Sequence, residues 1–373
     1  MAQGATLQRS SIRRKKRVTT TEALKKTIGS LLVVGFEGHK LSDSAFNFLQ
    51  QWDLGGVILF KRNLESFEQL RELNAAIYRA AKKPPIVSVD HEGGRVFRLP
   101  EPFTTFPPMR QVGDYCAKTG DCGPAEEVGR IFARELRAAG FNLDYAPVLD
   151  VDSNPQNPII GDRAFAADPD RVADNALAFL AGLQSEGVMG CGKHFPGHGD
   201  TREDSHLTLP VVEKSREELL ACELRPFARA VRAGIPMLMT AHVQYPALDP
   251  DWPATLSEKI LGDLLRGQLG YSGLIISDDF FMKGIAARWS LEEAAERFLR
   301  VGGDLVLLCH QEAVQRRVAA HLVHAAERDA DFRRLLEEKA QKLSKFRNSL
   351  SRGLQDPGLE LPSSEHLAVA ARF

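Results

Sequence analysis

Short apolar runs alternate with amphipathic stretches of helical length along most of the chain. Eight of the runs read as β-strands: 31–38, 55–60, 85–90, 142–151, 187–195, 236–243, 273–279 and 304–309. Several, such as GGVILF and DLVLLC, are near-continuously apolar, as parallel strands buried on both faces are. Between the runs, the helical period predicts helices over 125–140, 215–234 and 290–303. Ser215 with Glu218 and Ser290 with Glu293 have the spacing of capping boxes, and Pro226 is expected to break the middle helix. The link 39–54 fits least well, with room for one short helix. Strands and helices in this alternation predict an α/β fold, a single-domain (β/α)8 TIM-type barrel. A doubly wound open sheet is the alternative, and no GxGxxG follows a strand to support its dinucleotide-binding form.

The chain has 373 residues, 43% hydrophobic and 26% charged, enough to bury one large core without covalent staples. A net charge of -1 gives no whole-molecule field toward nucleic acid or an anionic membrane, and neither is expected as a partner. Five scattered cysteines, an odd number, argue against a disulfide framework and suit a reducing compartment, so a cytoplasmic location is expected. The first thirty residues hold eight Lys/Arg and a single acid, Glu22, but no apolar stretch follows RRKKR, which argues against a secretory signal. The expected organisation is a basic, disordered tail over 1–28, the barrel over 29–350 and a carboxyl-terminal tail over 351–373. A monomer is the expected state.

Polar residues collect where such a barrel keeps its active site, at the carboxyl ends of the strands. Asp90, Asp150, Lys193 with His194, His242, Asp278 with Asp279, and His310 end or closely follow six of the eight runs. The densest stretch is GKHFPGHGDTREDSH, 192–206. Its histidines suggest a metal site, but Pro196, Gly197 and Gly199 forbid the helix on which an H-x3-H pair shares a face. Asp204 and His206, two apart, suit a carboxylate orienting an imidazole for proton transfer. On spacing alone an Asx-turn with an exposed His206 is the favoured reading. Asp278, delivered by a buried strand, is a candidate nucleophile, with helix capping or pairing to Arg163 or Lys193 as its plainer roles.

KHFPGHGDTREDSH (193–206) resembles the signature of the glycoside hydrolase family 3 β-N-acetylglucosaminidases. VDHEGGRVFRL (89–99), DYAPVLDV (144–151), DRAF (162–165) and ISDDFFM (276–282) resemble that family's other blocks in the same order. The resemblance implies a retaining β-N-acetylglucosaminidase with Asp278 as nucleophile, His206 as acid/base and Asp204 orienting it. It further implies that Asp90, Arg98, Arg163, Lys193 and His194 bind the terminal N-acetylglucosamine. No metal or cofactor is implied. The expected substrate is N-acetylglucosaminyl-1,6-anhydro-muramic acid fragments of peptidoglycan recycling. Lys193 and Arg163 are expected to keep Asp278 ionised, and the glycines flanking His198 to let loop 196–210 move. His91 and Phe280 depart from the usual Gln and Leu. The competing readings are a metal-dependent barrel hydrolase, a family 3 β-glucosidase or phosphorylase, and a non-catalytic sugar-binding barrel.

Overall fold

The computed structural model describes residues 21–99, 101–203, 208–350 and 359–373. Eight parallel strands form one sheet: β1 (Leu32–Val34), β2 (Gly56–Leu59), β3 (Ile86–Val89), β4 (Leu143–Asp144), β5 (Met189–Phe195), β6 (Met237–Thr240), β7 (Leu274–Ser277) and β8 (Val306–Leu308). Their order is β7-β6-β5-β4-β3-β2-β1-β8. A parallel bridge between Ile276 and Leu305 brings the two ends together and closes the barrel. Every residue of β2, β3, β6 and β7 is buried, which explains why these strands read as unbroken apolar runs.

The helices between the strands carry the expected caps. The Ser290 side chain accepts from the Glu293 amide, and Ser215 and Glu218 close a reciprocal capping box. The 215–234 segment breaks earlier than Pro226. One helix ends at Ala221 and the next runs Leu224–Arg232. Pro226 lies in the first turn of the second helix, where the missing N–H has no partner to lose. The break turns Glu223 inward, and it is fully buried. The 39–54 link holds one helix, Asp43–Trp52, as its length allows.

The fourth run is the one most shortened. Only Leu143–Asp144 is regular strand, because Pro147 has no amide to add to the ladder. The chain beyond still follows β5, with Leu149 N donating to Lys193 O at 2.7 Å. The expected tails also change at both ends. Residues 21–30 are helical, with Leu24 and Ile28 buried in the core, so the structured chain begins before residue 29. At the other end, the helix Ser364–Ala370 docks on the barrel. Its buried His366 Nδ1 lies 2.7 Å from Glu135 Oε1. Residues 1–20 and 351–358 lie outside the described residues.

Candidate active site

Asp90, Arg98, Arg163, Lys193, His194 and Asp278 line one cavity of about 160 Å³. It opens at the carboxyl ends of the strands. β3 delivers Asp90, the loop after β4 delivers Arg163, β5 carries Lys193 and His194, and β7 ends one residue before Asp278. Asp204 and His206 lie outside the described residues. Glu92, Val96, Ile159, His198, Met239 and Met282 complete the lining.

The centre of the site is an ion cluster. Glu92, with 2% of its side chain exposed, takes Arg163 in a bidentate pair, Nε–Oε2 2.7 Å and Nη2–Oε1 2.8 Å. Lys193 Nζ sits 2.6 Å from Glu92 Oε1 and 2.5 Å from Asp90 Oδ1. Burial by itself would raise the Glu92 pKa, but the Arg163 and Lys193 charges overcome it and hold the carboxyl well below the usual range. Burial would likewise strip the proton from Lys193, and Asp90 and Glu92 reverse this, so the ammonium stays charged. The short ion pairs of Lys193 and Arg163 are therefore with Asp90 and Glu92. Both cations line the same cavity as Asp278.

A second buried carboxylate organises the β5 end. Asp150, fully buried, accepts from the His194 amide at 3.1 Å and the His198 amide at 2.7 Å, and its Oδ2 lies 2.7 Å from His194 Nδ1. Burial opposes its ionisation, yet His194 and the His198 contacts keep its pKa below the ordinary value. The pairing fixes the imidazole so that its Nε2 is the ring nitrogen left for other partners. The Lys193–His194 peptide between these two site residues is cis.

The glycines around His198 are tightly packed against their neighbours. A Cβ on Gly199 would lie 1.6 Å from the Val151 carbonyl oxygen, and one on Gly197 would lie 2.6 Å from Glu223 Cβ. Tyr245 donates to Gly197 O at 2.6 Å, while Asn157 Nδ2 donates to the carbonyls of His198 and Gly199 at 2.8 and 2.9 Å. Residues 195–199 are buried throughout. The glycines allow close approach of the chain to its neighbours, and residues 196–199 form a packed root to loop 196–210.

Asp278 is half-buried, and its Oδ1 accepts from the Asp279 amide at 2.8 Å. Its neighbour Asp279 serves the scaffold. Oδ1 accepts from the Cys309 amide at 3.0 Å, tying β7 to β8, and burial pushes the carboxyl up to about 6. His242 belongs to the same brace, its ring bridging the Thr255 hydroxyl at 2.8 Å and the Asp279 carbonyl at 3.1 Å. Arg98 lines the cavity with its Nε making no hydrogen bond among the described residues. His91, the departure from the usual Gln, points away into the core between Phe97 and Phe132 at 4.7 and 4.6 Å. Asp162 is exposed and pairs with Arg95 at 3.6 Å. Among the described residues, no group of three His, Cys, Asp or Glu side chains is arranged to hold a metal ion. Nor is any helix there long and apolar enough to cross a membrane.

A pocket that combines paired carboxylates with fixed cations at the barrel mouth suits a polyhydroxylated substrate cleaved through charge development. Residues 23–344 match the glycosyl hydrolase family 3 N-terminal domain. The chain is 42% identical over 281 residues to a β-hexosaminidase of Nitrosomonas eutropha, covering 75% of this chain and 80% of that protein. Native NagZ from Neisseria gonorrhoeae is similar in structure, with a TM-score of 0.78 and 35% identity, over 91% of this chain and 96% of that one. NagZ from the same organism in complex with N-trifluoroacetyl-D-glucosamine gives a TM-score of 0.71 at 35% identity, over 84% and 98% of the two chains. The chain belongs to glycosyl hydrolase family 3 and, within that family, to the β-hexosaminidases.

Proposed function

We propose that the enzyme is a retaining β-N-acetylglucosaminidase that removes non-reducing terminal N-acetylglucosamine by way of a covalent glycosyl-enzyme on Asp278. The observation that carries this reading is the sharing of one cavity by Asp278 and by the fixed charges of Asp90, Arg163 and Lys193. A carboxylate nucleophile needs the sugar held still against it, and ionised hydrogen-bonding groups of fixed geometry do this. Asp90 has one oxygen on Lys193 and keeps capacity for a sugar hydroxyl. Arg98 and His194 supply further polar contacts from the cavity wall.

The proton is assigned to His206, with Asp204 orienting it, on the strength of the DSH motif and its resemblance to the family signature. In the first step Asp278 Oδ attacks the anomeric carbon as the glycosidic C–O bond breaks, and His206 gives its proton to the departing oxygen. In the second step His206 takes a proton from water, which attacks the anomeric carbon and releases Asp278. The solved relative holding N-trifluoroacetyl-D-glucosamine supports an N-acylated sugar as the ligand. The proposed natural substrate is the 1,6-anhydro-muropeptide fragments of cytoplasmic peptidoglycan recycling, a reading that rests on the motif resemblance.

The test is parallel hydrolysis of chromogenic β-N-acetylglucosaminide and β-glucoside, with proton NMR of the first product. Faster release from the N-acetyl sugar with the β-anomer formed first is the expected result. No release from the N-acetyl sugar, or first appearance of the α-anomer, overturns the reading.

A further inference from the structure

Every residue lining the cavity comes from β3 to β7 or from the loop after one of them. The sector of the mouth above β8, β1 and β2 contributes none. That sector carries an aromatic cluster instead. His310, two residues beyond β8, stacks on Phe60 at the end of β2, with centroids 6.1 Å apart and planes 21° apart. Phe281, after β7, meets the same imidazole edge-on at 5.7 Å. Phe60 and Phe281 are half-exposed, and 43% of the His310 side chain is exposed.

The cluster is rigidly mounted. The Arg62 guanidinium lies 4.5 Å from the Phe60 ring centre and donates to the carbonyls of Phe36 and Cys309 at 3.2 and 2.5 Å, at the ends of β1 and β8. Phe281 also directly precedes Met282, which lines the cavity. His310 Nε2 lies 3.8 Å from Asp279 Oδ2, next in sequence to Asp278, which stands on the β7 side of the cavity.

Sugar geometry relates the two sectors. In a β-pyranoside the substituents on C1 and C4 are both equatorial and point in opposite directions across the ring. The fixed charges that take hydroxyls stand on β3 to β5, and the nucleophile stands after β7. A ring held with its C4 side toward those charges directs its leaving group toward β8, β1 and β2. We propose that Phe281, His310 and Phe60 form the leaving-group subsite, a platform for the apolar face of a sugar ring. This inference rests on the glycosidase reading above. Rings of this kind offer an apolar face with a polar tip, which a pyranose matches with its C–H face and equatorial hydroxyls.

The experiment compares wild type with Phe281→Leu and His310→Gln, two substitutions that remove a ring and keep bulk or polarity. Two substrates are used: N,N′-diacetylchitobiose, whose leaving group is a sugar, and 2,2,2-trifluoroethyl N-acetyl-β-glucosaminide, whose leaving group has no ring. Melting temperatures establish that the variants are folded. The expected result is that kcat/KM falls about tenfold on the disaccharide and at least about three times less on the trifluoroethyl glycoside. Equal losses on both substrates, or none on the disaccharide, overturn the subsite. A wild-type enzyme inert on both overturns the glycosidase reading, and the subsite with it.

Discussion

Replacing Glu92 by Gln removes one charge from the most buried part of the site and keeps the side-chain volume. Asp90, Glu92, Lys193 and Arg163 carry formal charges that sum to zero. The substitution leaves one positive charge unmatched. Arg163 loses its bidentate partner at 2.7 and 2.8 Å, and Lys193 keeps only Asp90. Glu92 is 2% exposed, so solvent does little to screen the loss. Breaking a buried pair by removing one partner costs about 3–5 kcal/mol. At the few degrees per kcal/mol typical of large domains, melting should fall by roughly 10 °C.

The pH dependence gives an independent check. The folded pKa of Glu92 lies below its unfolded value, so its contribution is complete above the unfolded value, about 4.3. That contribution disappears as pH falls through the depressed folded value. The difference in melting temperature between wild type and Glu92→Gln should stay level from pH 8 to 5 and narrow only below about pH 4. Thermal scans across this range, with kcat/KM at neutral pH, make the measurement. A variant that melts within about 2 °C of wild type at pH 7 and keeps its activity would refute the electrostatic account of the site.

Three further outcomes follow from the same geometry. Gly199→Ala should destabilise the fold by roughly 3 kcal/mol or more in chemical denaturation, because the new methyl group meets the Val151 carbonyl at 1.6 Å; a mild effect would restore the hinge reading. His91 has its pKa lowered to about 3, chiefly by burial, so below an unfolded value near 6.5 the unfolded chain takes up a proton that the folded one refuses. Stability should thus fall with pH from about 6.5 toward 3, and His91→Leu should flatten that fall in urea titrations at pH 7, 5.5 and 4.5. Asp150→Asn should reduce kcat/KM by about 10–100-fold, since the amide can donate to His194 Nδ1 and reverse which ring nitrogen bears the proton; Asp150→Glu should recover part of the loss in a steady-state assay.

The barrel was legible because parallel strands buried on both faces leave apolar runs that survive any detail of their ends. The residues carried at those ends were legible too. Asp90, Lys193, His194 and Asp278 follow directly from where β3, β5 and β7 stop, and they meet in one cavity. What sequence reasoning missed depends on direction, which spacing does not encode. Glu92 lies inside the VDHEGGRVFRL block, two residues beyond Asp90, and the family resemblance assigns it no role. Only the tight turn at Gly93 and Gly94, with φ of 84° and 53°, swings the chain so that its carboxylate faces inward. An acid immediately before paired glycines at a strand end was the available signal. Asp150 was noted as a strand end, but its grip on two histidine units arises from the fold of 194–198 back over it. Glycines on both sides of His198 suggest freedom of movement in the sequence, whereas their neighbours show that they admit close packing. The helix break at Cys222–Glu223 precedes the proline that announces it, because the first helix of the pair ends where Glu223 turns into the core.

The central claim is that Asp278 becomes covalently bonded to the sugar. The most direct measurement is mass spectrometry of the enzyme after reaction with an activated 5-fluoro-N-acetylglucosaminyl fluoride, followed by proteolysis and peptide mapping. The expected result is one added fluorinated sugar per chain, on the peptide containing Asp278, and no label in Asp278→Asn. A label on another carboxylate, or turnover of the reagent in wild type with no covalent adduct at any time, would contradict it.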